Sequence, residues 1–110
     1  MAVAYTNAQI QGTSSTGSYS TLYSTGASVT ALISSLLVTN TSSTAALYRI
    51  AIMSTAGTPA AANWVVYDAT VQANDTVSLT LGLTLKVNQY LRVSSSANTV
   101  TFSAYVSEFS

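Results

Sequence analysis

The sequence has 110 residues and a mass of 11.4 kDa, enough for one hydrophobic core. We therefore predict a single domain over residues 1–110, with 1–18 as a candidate extended N-terminal arm. Three basic and three acidic residues give a net charge of zero, and histidine and cysteine are absent from the sequence. This composition excludes imidazole and thiolate catalysis, zinc sites and disulfides, and it argues against nucleic acid or a membrane surface as a partner.

The N-terminal part of the chain is predicted to contain three strands. Val3–Ile10 and Tyr19–Tyr23 are short, and a flexible connection rich in Ser, Thr and Gly, Gln11–Ser18, joins them. Ser28–Asn40 has apolar spacings that also fit a helix, but its β-branched and hydroxyl residues favour a strand covered on both faces. Its longest apolar run, Ala31–Val38, contains two serines and is much shorter than the roughly 20 residues of a membrane-spanning helix.

The middle of the chain is predicted to form two strands around a turn that contains Pro59, since proline ends a central strand. Asn63–Asp68 is the second of these strands. The first, Ala45–Ser54, alternates between one face with Tyr48, Ile50 and Ile52 and another with Leu47, Arg49, Ala51 and Met53. A hairpin centred between Thr58 and Pro59 places Arg49 opposite Asp68, and we predict an ion pair between them.

The C-terminal part is predicted to form three more strands. Thr76–Leu85 has an apolar residue at every odd position, which gives a period of two over ten residues. The segment from Val100 to Ser107 repeats this alternation, and Tyr90–Val93 lies between the two.

A tight hairpin is predicted to join the last two of these strands. With Ser96 and Ala97 as its loop, apolar residues face each other across the hairpin: Val93 opposite Val100 and Leu91 opposite Phe102. The sequence thus predicts about eight antiparallel strands separated by turns, which is typical of an all-β antiparallel β-sandwich or jelly roll.

Few residues are candidates for catalysis. Asp68 and Asp75 lie seven residues apart, so they are candidates for the carboxylate pair of a glycoside hydrolase. Asp75 follows an asparagine and precedes a strand, which favours a turn over catalysis. Serine nucleophiles have no base. We predict no catalytic residue, no metal site and no cofactor.

Aromatic side chains are the more informative set, because they pack in cores, in subunit interfaces or against sugars. All three alternatives stay open for the set as a whole, namely Tyr19, Tyr23, Tyr48, Trp64, Tyr67, Tyr90, Tyr105 and Phe109. The candidates for a subunit interface are Tyr19, Tyr23, Trp64, Tyr105 and Phe109. Among these, Trp64 and Tyr105 are favoured because each lies on a polar or mixed face of its predicted strand.

Seven short motifs occur between about Thr21 and the end of the chain. They are a Leu-Tyr followed by a turn, a Val/Ile/Ser-rich strand ending in Asn, an Arg-Ile strand, a Tyr-Asp strand end, an Ala-Asn-Asp-Thr turn, a Leu-Gly-Leu-Thr-Leu strand and a closing Phe-Ser-Ala-aromatic-x-x-Glu segment. In chain order these segments are Leu22–Tyr23, Ser28–Asn40, Tyr48–Ala51, Tyr67–Asp68, Ala73–Thr76, Leu81–Leu85 and Phe102–Glu108. Together they resemble the motifs of a family of small bacteriophage virion proteins.

The resemblance implies a β-sandwich component of a virion, made in the host cytoplasm. It implies a capsid decoration (cement) protein or, alternatively, a neck, tail or fibre subunit, including a receptor- or glycan-binding module. The implied partners are other virion proteins, above all the major capsid protein, and further copies of the chain. The low charge agrees with assembly, because a free monomer would have little electrostatic repulsion to keep it soluble. We expect association through strand edges, using Tyr19–Tyr23 or the C-terminal strand.

Overall fold

The computed structural model describes residues 2–80 and 82–110, and most of them lie in β-strands. One 3-10 helix of three residues, Ala61–Asn63, precedes the fifth strand. The strands are β1 (Val3–Gln11), β2 (Ser20–Ser24), β3 (Thr30–Asn40), β4 (Ala46–Met53), β5 (Trp64–Val71), β6 (Thr76–Leu79), β7 (Leu83–Leu85), β8 (Tyr90–Ser95) and β9 (Val100–Phe109).

The strands form two antiparallel sheets that pack face to face. Sheet A has the order β1-β9-β3-β6, with β7 also paired to β3, and sheet B has the order β2-β8-β4-β5. When β6 and β7 are counted as one interrupted strand, this order is that of an eight-stranded jelly roll. The predicted all-β antiparallel sandwich is therefore confirmed. Within the predicted strand 28–40, residues 30–40 form a strand rather than a helix, and residues 3–11 of the candidate N-terminal arm pair with β9 along their whole length.

Alternate residues of the strands fill the space between the sheets. Tyr48 of sheet B meets Phe102 of sheet A edge to face, with ring centroids 6.4 Å apart. The core contains Leu22, Ala31, Ile33, Leu36, Val38, Ala46, Tyr48, Ile50, Val71, Leu85, Leu91, Val93, Val100, Phe102, Ala104 and Val106. The two predicted faces of β4 are correct: Ile52 packs against this core, whereas Ala51 and Met53 are buried outside it.

The predicted hairpin between β8 and β9 is wrong. β8 pairs with β2 and β4 in sheet B, while β9 pairs with β1 and β3 in sheet A. Val93 and Phe102 are buried as expected, but they lie in opposite sheets. The error has a physical reason: inward residues alternate in the same way whether two strands are neighbours in one sheet or face each other across a sandwich.

The predicted strand 76–85 is divided into β6 and β7. Both pair with β3, but Gly82, with a φ of 60°, interrupts the strand between them. Leu81, one of the predicted apolar positions, lies outside the described residues.

A further difference concerns β3, which was expected to be covered on both faces. Its inward residues are buried, but Leu32 and Leu37 on the opposite face are only half-buried.

A buried asparagine connects the loops at one end of the sandwich. Asn40 is 1% exposed at the end of β3. Its Oδ1 accepts hydrogen bonds from the Ser42 backbone N–H at 3.0 Å and from the Thr99 hydroxyl at 3.1 Å. Its Nδ2 faces the carbonyl oxygens of Thr44 at 2.8 Å, Gln72 at 3.4 Å and Val71 at 3.5 Å. The one side chain therefore satisfies polar groups of three separate chain segments.

Candidate subunit interfaces

The side of sheet A that faces away from the core forms a surface that we call the outer face of sheet A. It follows from the alternation of β9, because Phe102, Ala104 and Val106 point inward and the residues between them point outward. The strand registers place on this face Val3, Tyr5, Asn7 and Gln9 of β1, Thr101, Ser103, Tyr105, Ser107 and Phe109 of β9, Thr30, Leu32, Ser35, Leu37 and Thr39 of β3, and Thr76, Ser78 and Thr84 of β6 and β7.

This outer face carries no charged side chain among residues 2–80 and 82–110. The six charged residues of the chain lie elsewhere: Arg49, Asp68 and Arg92 on sheet B, Asp75 and Lys86 in connections, and Glu108 on the inward side of β9. Monomeric proteins normally place charges over their surface. A whole sheet face of hydroxyl, amide and apolar groups is therefore suited to contact another protein.

Two tyrosines are the most prominent side chains of the outer face of sheet A. Tyr5 is 82% exposed and Tyr105 is 41% exposed, and together with Thr6 and Asn7 they line a shallow hollow. Leu32 and Leu37 lie half-buried in the middle of the face, between polar neighbours on β9 and on β6 or β7. The pattern of apolar residues with polar surroundings is that of many protein interfaces.

A different arrangement of aromatic residues lies on the outer side of sheet B. We call it the Arg49 cluster: Tyr19, Arg49, Trp64, Tyr67 and Asp68. Asp68 accepts two hydrogen bonds from Arg49, Nε to Oδ1 at 2.6 Å and Nη2 to Oδ2 at 3.1 Å. The hydrogen bonds from Arg49 hold the pKa of the Asp68 carboxyl below its usual value, and the same bonds raise the pKa of Arg49. The structure thus brings together the two residues that the predicted β4–β5 hairpin places opposite each other.

The aromatic rings of this cluster surround the guanidinium group. The carbon Cζ of Arg49 lies 4.1 Å from the ring centroid of Tyr67 and 5.6 Å from that of Trp64. Tyr19 packs on Trp64 with centroids 5.8 Å apart, and its hydroxyl accepts a hydrogen bond from Arg49 Nη1 at 3.4 Å. These contacts fix the cluster, yet Tyr67 remains 56% exposed.

Tyr23, another of the predicted interface residues, lies away from both surfaces. It packs against the core, and its hydroxyl donates a hydrogen bond to Glu108 Oε2 of the other sheet. Burial raises the pKa of Tyr23, and the hydrogen bond and negative charge of Glu108 raise it further. The role that the geometry supports for Tyr23 is a link between the two sheets.

The five predicted interface residues therefore do not form one patch. Tyr105 and Phe109 lie on the outer face of sheet A, Tyr19 and Trp64 belong to the Arg49 cluster, and Tyr23 joins the sheets. Sequence reasoning missed the exposed residues Val3 and Tyr5 of β1 and the two leucines of β3. The sequence signal for the leucines is the occurrence of apolar residues at both odd and even positions of β3, a pattern that also fits a strand buried on both faces.

The two aspartates considered for catalysis are engaged separately. Asp68 is paired with Arg49, and Asp75 Oδ1 accepts a hydrogen bond from the backbone N–H of Thr76 at 2.8 Å, as in a turn. Within the described part of the chain, no group of three acidic residues is placed to hold a metal ion. No helix of the described residues has the length and apolar character needed to cross a membrane.

We expected the C-terminal strand to be one of two edges through which the chain associates, and this expectation is wrong. β9 is an interior strand with β1 on one side and β3 on the other, so its backbone hydrogen bonds are used within sheet A. The other expected edge, Tyr19–Tyr23, does lie at an edge, because β2 has a single neighbour, β8. The sequence identified strands but not their order, and the order decides which edges are free.

Comparisons with known proteins relate the fold to viral particles. No protein-family model matches the sequence, and no curated protein matches it. Among solved structures, a chain of the T13 IBDV viral particle is similar over 96% of this chain, with a TM-score of 0.56 and 13% identity. Two crystal structures, each of a pentameric capsid protein isolated from metagenomic phage sequences, are similar over 93% of this chain, with TM-scores of 0.45 and 0.37 and identities of 15% and 12%.

This chain spans only part of each similar structure: 30% of the IBDV chain, and 59% and 63% of the two phage chains. At 13% identity the likeness to the IBDV chain concerns the fold alone. The nine strands described above therefore form a β-sandwich of a kind that also occurs in the chain of a viral particle.

Proposed function

We propose that this chain is a non-enzymatic structural subunit of a bacteriophage virion, and more specifically a capsid decoration (cement) protein. In this role it binds the major capsid protein and stabilises the shell by adding contacts between capsid subunits. The observation that carries the proposal is the charge-free outer face of sheet A. Two further features of the chain support the same role. Its sequence motifs resemble those of small phage virion proteins, and it shares its fold with the IBDV chain.

The size of the outer face of sheet A agrees with a protein interface. Four strands about 4.8 Å apart and up to about ten residues long present roughly 600 Å². One partner in a standard interface buries about 800 Å². Leu32 and Leu37 lie at the centre of this face, where interface residues contribute most, and Ser and Thr hydroxyls surround them. A subunit present in many copies stabilises a shell through the sum of such contacts.

The experiment that tests the proposal uses virions produced with and without the gene for this chain. A decoration protein predicts that particles still assemble and package DNA, but release it at a lower temperature and after milder osmotic shock. Adding the purified chain back should restore the stability of the wild-type particles. Unchanged stability contradicts the cement role, and a complete failure to form shells indicates a major capsid role instead.

The Arg49 cluster favours a second candidate function, a glycan-binding module of a neck, tail or fibre. Sugar-binding sites use flat aromatic rings beside polar groups, and here Tyr67 is 56% exposed next to Trp64 and the Arg49–Asp68 pair. A glycan array with the purified chain tests this candidate. Binding that is lost in Tyr67→Ala and kept in Tyr5→Ala, a matched exposed tyrosine on sheet A, supports it, and no binding to any glycan contradicts it.

A further inference from the structure

The four edges of the two sheets differ in how well they are protected against pairing with another strand. Edge strands are usually blunted by bulges, interruptions, prolines or charges. β2 is five residues long and has a register shift between Thr21 and Tyr23. β5 has two register shifts against β4 and a charged residue, Asp68, with a φ of 56°. The edge formed by β6 and β7 is interrupted at Gly82.

β1 has none of these protections within the described residues. It pairs with β9 over nine consecutive residues in one constant register, and its sequence, VAYTNAQIQ, contains no charge, proline or glycine. Most of its residues are exposed on both sides of the sheet. A long, regular and uncharged edge is what a protein leaves where a further strand is to be added.

The hydrogen bonds at the two ends of β1 define which backbone groups point toward the free edge. Ala2 and Ser110 exchange both of their backbone hydrogen bonds at 3.0 Å, and Gly12 N donates to Val100 O at 2.6 Å. In an antiparallel ladder, residues that bond to the neighbour alternate with residues whose N–H and C=O point the other way. Even-numbered residues of β1 therefore bond to β9. The groups that point toward the free edge belong to Val3, Tyr5, Asn7, Gln9 and Gln11.

We propose that β1 pairs with β1 of a second copy of this chain, antiparallel and about a two-fold axis at Asn7. This register uses all five outward residues and forms about ten backbone hydrogen bonds, as many as a typical stable interface has. It places Tyr5 opposite Gln9 of the second copy, and Val3 opposite Gln11. No like charges meet, since β1 has no charged residue, and two-fold dimers are the commonest oligomers.

A second copy of the chain fits this edge, because the backbone N–H and C=O groups of the five outward residues are complementary to themselves across a two-fold axis. The pairing also joins the two outer faces of sheet A into one eight-stranded, charge-free surface, since a two-fold axis perpendicular to the sheets keeps both faces on the same side. The inference concerns the purified chain and does not depend on the proposed virion role.

Cysteine cross-linking tests the register, because the natural sequence has no cysteine. In Asn7→Cys the two sulfur atoms meet at the axis, where paired Cα atoms lie about 5.5 Å apart, within reach of a disulfide or a short bismaleimide. In Val3→Cys, a matched control on the same strand, the two residues lie about 27 Å apart. We expect cross-linked dimer to form at least tenfold faster in Asn7→Cys than in Val3→Cys.

Mass measurement tests the pairing itself. Size-exclusion chromatography with light scattering should give twice 11.4 kDa for the natural chain and a monomer for Asn7→Pro, which removes one outward N–H but no bond to β9. Asn7→Lys, which places two like charges at the axis, should also be monomeric, with an unchanged circular dichroism spectrum. A natural chain that is monomeric at every concentration, or equal cross-linking of Asn7→Cys and Val3→Cys, overturns the proposal. A strand of a different virion protein on β1 overturns it as well.

Discussion

Replacing Asn40 by alanine is expected to destabilise the protein strongly, because this buried side chain holds three chain segments together. Three of its hydrogen bonds are 3.1 Å or shorter, to Thr44, Ser42 and Thr99. With about 1 kcal/mol for each bond, the free energy of unfolding should fall by about 3 kcal/mol. In a chain of this length, roughly 4 °C per kcal/mol then predicts a melting temperature lower by about 12 °C.

Urea unfolding followed by circular dichroism measures this change, and Thr99→Val is the matched control. It removes one of the three bonds and should cost about 1 kcal/mol. The double variant should cost less than the sum of the two single variants, because the Asn40–Thr99 bond is then counted once. If Asn40→Ala stays within 0.5 kcal/mol of the natural chain, roughly the level of an ordinary surface substitution, the network does not stabilise the fold as argued.

Three further outcomes are expected. Burial and Glu108 raise the pKa of Tyr23 in the folded protein. The free energy of unfolding should therefore stay constant up to about pH 10, and above that pH it should fall by at most about 1.4 kcal/mol per pH unit for this group. Urea titrations at alkaline pH should show a shallower fall in Tyr23→Phe. In Gly12→Ala the new Cβ would lie 2.2 Å from Ser95 Oγ and 2.9 Å from a backbone oxygen, so thermal unfolding should reveal a loss of about 1–3 kcal/mol. Leu37→Lys should abolish binding to shells that lack the chain, whereas Thr70→Lys on sheet B should bind normally in a sedimentation assay.

The strands were predictable from the sequence because period-two alternation reports directly which residues face a core. This signal identified β4, β8 and β9, and it identified the two faces of β4. The prediction of β3 rested instead on its β-branched and hydroxyl residues. The alternation carries no information about the partner of each strand. Leu91 and Phe102 satisfy the alternation equally well as neighbours in a hairpin and as residues of opposite sheets, and the structure has the second arrangement.

The candidate interfaces were less predictable for the same reason. Tyr19 and Trp64 come together with Arg49 because β2, β4 and β5 belong to one sheet, and Tyr105 lies on the other sheet. The Arg49–Asp68 contact depends only on a local hairpin, which a sequence pattern can specify. The charge-free face of sheet A instead needs the order of all its strands, and it became visible only when β1, β9, β3 and β6 were placed side by side.

The most direct test of the account is a cryo-electron microscopy reconstruction of the virion that carries this chain, at a resolution that places its side chains. We expect Leu37 and Tyr105 on the outer face of sheet A to be covered by the major capsid protein. A reconstruction in which this face points to solvent, while another side of the sandwich holds the subunit on the particle, would contradict it.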